Sequence, residues 1–140
     1  MSTLSPKVRE ALEGDHLAHM VTINPDGSPQ VSCVWVGLEG DSVLSGHLFE
    51  QQKIRNLRRD PRISMSIVPG GKSPDGLPFH FVLHGKAEVV EGGCPELLQQ
   101  LAETYLGPGV KWPPMDEPPP GFVIRTTVER VVGYGPWHEE

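Results

Sequence analysis

The sequence is poor in cysteine and has no CxxC motif. Its two cysteines, Cys33 and Cys94, stand far apart in the chain. This spacing supports neither a disulfide framework nor a zinc site built from paired cysteines. We therefore expect both residues to be buried free thiols.

Long apolar runs are also missing. No stretch approaches the roughly 20 apolar residues that a membrane-spanning helix needs. The first residues, MSTLSPKVREALEG, lack the apolar segment of a signal peptide. We expect no membrane partner and a cytoplasmic location. The 140 residues, with 37% hydrophobic and 21% charged side chains, predict one domain spanning 1–140.

Positive charge is in deficit, because the net charge is −6. A polyanion would be repelled over most of the surface, so nucleic acid is not an expected partner. The basic residues nevertheless concentrate between Lys53 and Arg62. A local positive site on an acidic protein favours a small anionic ligand.

Familiar catalytic and metal-binding motifs are absent, including the nucleophile elbow, HExxH, the P-loop and GxGxxG. Ser45 and His47 have no third partner that would complete a triad. His80 and His84 would lie roughly 13 Å apart along a strand, too far to share a metal ion. We expect no metal, and chemistry that belongs to a bound cofactor or no catalysis at all. A haem ligand, His47 or His80, remains an unsupported alternative.

Glycine and proline are plentiful, with 16 and 15 residues, which indicates many turns and therefore many strands. Alternating hydrophobicity predicts strands over 16–23, 30–38, 42–47, 63–68, 79–90 and 122–134. The first three would form a meander, and the last segment would be one long strand or two short ones. Helical spacing predicts helices over 5–14, 50–59 and 94–106. Gly85 indicates a bulge in its strand. The pattern is typical of a mainly β, antiparallel barrel of six or seven strands with three short helices at its rim.

The basic helix over 50–59 carries the first candidate site. On a helical wheel, Ile54 and Leu57 face a core, while Gln52, Lys53 and Asn56 form a polar sector beside them. A lysine near the first turn, together with free backbone N–H groups, can hold an anion. The alternative is a solvated basic face without a ligand, and the spacing alone does not decide between them.

Three tryptophans stand in a chain with only 6% aromatic residues: Trp35, Trp112 and Trp137. Core or interface packing is the default expectation for each. Trp137 lies near the end of the chain, where a tail is disordered unless something holds it. We expect it to dock onto a second subunit.

Four segments together resemble the split β-barrel superfamily of flavin and deazaflavin oxidoreductases related to pyridoxamine 5′-phosphate oxidase. They are HLAHMVTINPDGSPQVSCVWV, LSGHLFEQQKIRNLRRDPRISMSIV, FHFVLHGKAEVV and FVIRTTVERVVGYG. The resemblance covers His16 to Tyr134. Its most specific part, KIRNLRRDPRISM, is similar to the branch that uses coenzyme F-420, a deazaflavin.

The resemblance implies a homodimer of split barrels with two cofactor sites at the subunit interface. It places the tricyclic ring against the second strand, the phosphate between the third strand and the following helix, and the partner's 69–80 loop and tail over the ring. The implied cofactor-binding residues, with Asn56 from the polar sector of the helix, are Gln30, Val31, Ser32, Cys33, Val34, Ser45, Gly46, Gln51, Gln52, Lys53, Asn56, His80 and Trp137.

Two departures from the superfamily pattern narrow the expected activity. Gln51 and Gln52 stand where flavin-binding members often carry arginine, which leaves Lys53 as the cation of the first turn. The tail GPWH does not match the Arg-x-His of the vitamin B6 oxidases, so that activity is not expected.

The resemblance then implies an oxidoreductase that transfers a hydride between reduced coenzyme F-420 and a small conjugated organic substrate. The alternatives are an FMN-binding oxidoreductase of the same fold, or a non-catalytic flavin- or haem-binding protein. The sequence identifies neither a catalytic side chain nor the substrate.

Overall fold

The computed structural model describes residues 4–138, which form three helices and seven strands. The helices are α1 (Pro6–Leu12), α2 (Gln52–Arg59) and α3 (Cys94–Tyr105). The strands are β1 (Ala18–Ile23), β2 (Pro29–Val34), β3 (Gly37–Glu39), β4 (Ser42–His47), β5 (Arg62–Ile67), β6 (His80–Glu91) and β7 (Phe122–Tyr134). Within this described range, no helix is both long and apolar enough to cross a membrane.

All seven strands belong to one antiparallel sheet in the order β2-β1-β5-β6-β7-β4-β3. The sheet wraps around one large cluster of buried apolar side chains, to which α1 and α2 also contribute. Its two edge strands, β2 and β3, follow each other in the chain but do not pair. The predicted mainly β split-barrel fold class is confirmed.

The predicted strand over 30–38 and the predicted three-strand meander are wrong. The chain breaks after Val34, so that β2 pairs with β1 while β3 pairs with β4 at the far end of the sheet. Tyr105 of α3 makes the break possible, because its hydroxyl accepts from the Val36 N–H at 3.0 Å. The same hydroxyl lies 3.1 Å from the carbonyl oxygens of His16 and Val36. A buried backbone group without a ladder partner needs such a substitute, and alternation in the sequence does not reveal it.

The predicted bulge at Gly85 is confirmed. β6 and β7 pair along their whole length, and their register shifts between His84 and Gly85. At this point Gly85 lies against the backbone of β7, where a Cβ atom would meet the carbonyl oxygen of Thr127 at 2.0 Å. Only glycine allows the two strands to approach this closely.

The two helices that flank the candidate site pack on opposite parts of the sheet. α2 lies against β1 and β6, and Ile54 and Leu57 point into the core as predicted. α3 lies against β4 and β7. Gly46 permits this contact, because a Cβ there would already touch the Cys94 sulfur and the Leu98 side chain at 3.3 Å.

Trp137, which the sequence predicts to dock onto a second subunit, packs within its own chain. Its side chain is 5% exposed and packs in the main core of its own chain, edge-on to Phe81. The indole N–H donates to the carbonyl of His80 at 2.7 Å. The core of the same subunit therefore holds this part of the tail.

Candidate functional site

An open groove of about 340 Å³ lies where β2, the end of β4, α2 and α3 come together. Its walls carry three aromatic rings and one lysine, with aliphatic side chains between them. This combination of a mostly apolar surface and a few polar groups is typical of cofactor and substrate sites. The lining residues are Cys33, Val34, Trp35, Gly46, His47, Leu48, Phe49, Gln51, Lys53, Leu98 and Trp112.

The basic stretch between Lys53 and Arg62 divides into two kinds of residue. Its four arginines point away from the groove and have partners on the surface. Arg55 donates to the Glu50 carbonyl, Arg58 pairs with Glu50 and Glu91, Arg59 donates to the Ile23 carbonyl, and Arg62 pairs with Asp60. The arginines therefore form the solvated basic face that the sequence left open as one alternative.

Lys53 behaves differently, because it is 6% exposed and lines the groove. Among residues 4–138 it makes no hydrogen bond or ion pair. Burial lowers the pKa of the Lys53 ammonium, and the nearby Cys33 opposes that shift. A buried cation without a counter-ion is costly in a fold. Such a group in a groove is a candidate for binding an anion.

The N-terminus of α2 adds backbone donors beside Lys53. Gln51 is the capping residue, and its side chain makes no capping hydrogen bond. The first N–H groups of the helix therefore lack the side-chain acceptor that usually satisfies them. A phosphate at this point would accept hydrogen bonds from these N–H groups and from the Lys53 ammonium.

His47 is a buried neutral base in the same wall. It is 7% exposed, and its Nε2 shares a hydrogen bond of 2.9 Å with the Ser45 hydroxyl. Burial and the neighbouring Lys53 charge lower the pKa of His47 to about 3. The imidazole is therefore uncharged at neutral pH, and Lys53 is the cation of the groove.

This burial predicts acid sensitivity. The pKa of His47 is about 3 in the folded protein, whereas its ordinary value, taken for the unfolded chain, is 6.5. At a pH between these two values the unfolded chain therefore binds more protons than the folded protein. The free energy of unfolding should then fall as the pH is lowered from 6.5, by about 2 kcal/mol down to pH 5. Urea unfolding curves at successive pH values measure this. His47→Gln should flatten the dependence, while the exposed control His19→Gln should retain it. An unchanged slope in His47→Gln would contradict the assignment.

The structure brings five of the predicted cofactor-binding residues together in the groove: Cys33, Val34, Gly46, Gln51 and Lys53. The Cys94 thiol is buried as predicted, whereas Cys33 is exposed, which corrects the expectation for that cysteine.

The other predicted residues lie outside the groove lining. Asn56 is fully buried and donates to Thr22 and Asn24, so it ties α2 to β1. Ser45 is buried behind His47. Gln30, Val31, Ser32 and Gln52 do not line the groove, and the buried Ser32 hydroxyl has no described hydrogen-bond partner. His80 and Trp137 lie towards a second cleft.

That second cleft is larger, about 440 Å³, and lies between α1, the loop after β5 and the C-terminal tail. Its charged residues Lys7 and Glu10 are exposed and pair with each other at 3.6 Å. Neither is a buried charge that needs a ligand. We therefore place the candidate site in the groove that contains Lys53, and His80 and Trp137 remain predictions from the resemblance.

Sequence reasoning did not assign the aromatic part of the groove. Trp35, Phe49, Leu98 and Trp112 come from four separate segments, and no local pattern joins them. The one available signal was Phe49, an apolar residue directly before the basic helix, which the fold leaves 60% exposed. Among the described residues, no group of three or more potential ligands is arranged to hold a metal ion.

Comparison with known proteins gives one sequence-profile match and several similar structures. The profile described as pyridoxamine 5′-phosphate oxidase matches residues 4–134. A structure named F-420 reductase is 26% identical, with a TM-score of 0.70, and the match covers 89% of this chain and 94% of that chain. No curated protein matches the sequence significantly.

Two further structures show the same fold at lower identity. The conserved hypothetical protein Rv2991 from Mycobacterium tuberculosis is 23% identical, with a TM-score of 0.72, over 96% of this chain and 88% of that chain. A putative pyridoxamine 5′-phosphate oxidase from Listeria innocua is 19% identical, with a TM-score of 0.65, over 91% of this chain and 94% of that chain.

Proposed function

The chain belongs to the pyridoxamine 5′-phosphate oxidase family, and we propose that it is an oxidoreductase that uses coenzyme F-420. The observation that carries this proposal is Lys53, a buried cation without a partner, in a groove lined by aromatic rings. The family match supports the redox class. The similar structure named F-420 reductase and the KIRNLRRDPRISM segment support the choice of coenzyme.

The residues present fit a flat ring that carries a phosphate. Lys53 and the uncapped N-terminus of α2 would hold the phosphate. The edge of β2, at Cys33 and Val34, offers a surface for the ring. Arg55 is held by the Glu50 carbonyl, so Lys53 supplies the positive charge at this point.

When bound, the coenzyme supplies a hydride, and the chain contributes orientation and exclusion of water. The apolar side chains of Val34 and Leu98 remove water from the groove. His47 is neutral, so it adds no second positive charge beside that of Lys53 that would bind the phosphate group non-specifically. We assign no side chain as the proton donor to the reduced substrate.

We also propose that the chain forms a homodimer with the groove beside the interface. The outer face of β2, β1, β5, β6 and β7 leaves Val31, Val132 and Tyr134 substantially exposed. Cys33 lies on the same face and also lines the groove. A second copy on this face would cover these apolar side chains and close one side of the site.

Titration of the purified protein with F-420 and FMN tests the function. We expect a colourless protein that binds F-420 more tightly than FMN and oxidises reduced F-420 in the presence of 1,4-naphthoquinone. Sedimentation velocity on the same sample should show the mass of two chains. Tighter binding of FMN than of F-420 would favour the FMN alternative. Binding of a cofactor without turnover would favour a non-catalytic protein, and a Soret band in the absorption spectrum would favour a haem protein. Absence of binding by any of these groups would refute the proposal.

A further inference from the structure

Trp35 is fixed firmly in the wall of the groove. Its ring stacks on Tyr105 with a centroid distance of 5.1 Å and an angle of 12° between the planes. The Tyr105 hydroxyl is itself bound to the backbone of Val36, the next residue after the tryptophan. This stacking restrains the orientation of the Trp35 ring, which lines the groove.

Trp112 is held beside Trp35 by a different device. The two indoles lie 5.8 Å apart at an angle of 48°. Gln99 of α3 fastens the segment that carries Trp112, because its side-chain oxygen accepts from the Trp112 N–H at 2.9 Å. Its amide nitrogen donates to the Val110 carbonyl at 2.7 Å. One glutamine thus uses both ends of its amide to position one aromatic ring.

The wall formed by Trp35, Trp112 and Leu98 carries no ionised side chain. The cation of the groove, Lys53, comes from α2, whereas this wall is attached to α3. A charged group against the α3 wall would lose hydration without gaining a partner. A flat uncharged ring would instead stack on one indole and meet the edge of the other, the arrangement that aromatic groups prefer.

We propose that Trp35 and Trp112 form a substrate subsite for planar, uncharged, conjugated rings, and that Gln99 is the positioning residue that holds Trp112 in place. The proposal rests on the proposed function, because it takes Lys53 to be occupied by the phosphate of the coenzyme. It assigns substrate selection to two residues that lie far apart in the sequence. It also explains why a half-buried glutamine is bonded to the otherwise irregular segment after α3.

The test uses 1,4-naphthoquinone and its anionic 2-sulfonate with the full-length protein. Calorimetric titration into protein loaded with oxidised F-420 gives the affinity, and turnover with reduced F-420 separates KM from kcat. We expect the neutral quinone to bind more tightly than the sulfonate. Trp112→Leu should weaken quinone binding about tenfold, the size of a lost stacking contact, with the affinity for F-420 unchanged.

Gln99→Leu should raise the KM for the quinone about threefold to tenfold with kcat unchanged, since the ring remains but loses its support. Gln100→Leu is the matched control, because Gln100 is exposed on the same helix and should change neither parameter. If Trp35→Leu fails to fold, Trp112→Leu and Gln99→Leu still decide the question.

Unchanged quinone affinity in Trp112→Leu would overturn the subsite, and so would weakened F-420 binding, which would place the coenzyme ring on this wall. Equal affinity for the sulfonate would overturn the preference for uncharged rings. If no coenzyme binds, the proposed function fails, and quinone titration of the coenzyme-free protein and its Trp112→Leu variant still tests the subsite.

Discussion

Lys53→Met is expected to weaken binding of F-420 while making the coenzyme-free protein more stable. A charged hydrogen bond to phosphate contributes about 1.5–3 kcal/mol, so affinity should fall by that amount. In the free protein the ammonium is buried without a partner, and an unbranched apolar side chain of similar length removes its desolvation cost. The free energy of unfolding should rise by about 1 kcal/mol or more.

Coenzyme titration and urea unfolding of the same variant measure the two effects. Lys86→Met is the matched control, because Lys86 is exposed on β6 and should change neither quantity. Unchanged affinity would remove Lys53 from the coenzyme site. Reduced stability would mean that the ammonium makes favourable contacts in the free protein. Opposite signs for binding and stability are the signature of a residue retained for its ligand rather than for the fold.

Gly85→Ala is expected to destabilise the protein by about 3 kcal/mol, which lowers the melting temperature by about 10 °C. The added Cβ would lie 2.0 Å from the Thr127 carbonyl oxygen and 3.2 Å from the Cα atom of Val128. Both contacts are backbone atoms of β7, so no side chain can rotate away. Relief requires the register of β6 and β7 to move at the bulge that joins the two longest strands.

Thermal unfolding followed by circular dichroism checks this effect. Gly76→Ala is the control: Gly76 has a φ of +88°, and a Cβ there would have no atom within 4 Å. It should cost only the conformational penalty of about 1–2 kcal/mol. A Gly85→Ala loss no larger than that of the control would show that β7 can shift at small cost.

Part of the candidate site could be predicted from the sequence, because its phosphate-binding end is local. Gly46, Gln51 and Lys53 lie within one strand–turn–helix segment, and one helical wheel separates Lys53 from the core positions. The aromatic end could not be predicted in the same way. Trp35 and Trp112 meet only because both are held by α3. Tyr105 of this helix stacks on Trp35, and Gln99 of the same helix accepts from the Trp112 N–H.

The differences between the sequence predictions and the structure have the same origin. The strand that was expected to continue past Val34 breaks because Tyr105, from a helix near the other end of the chain, satisfies the backbone at the break. Trp137 packs in the core of its own subunit, where it contacts Phe81 edge-on. Asn56, grouped with Lys53 by the helical wheel, faces β1 instead.

The amino-acid sequence by itself determined the mainly β class with three helices, the bulge at Gly85 and the family resemblance. Alternation, helical spacing and turn residues are properties of neighbouring positions, and they need no knowledge of the rest of the chain. The tertiary structure decided that the arginines are paired while Lys53 is not, and which aromatic rings stand opposite that lysine. Burial and pairing depend on residues distant in sequence, so they exist only once the sheet has brought those segments together.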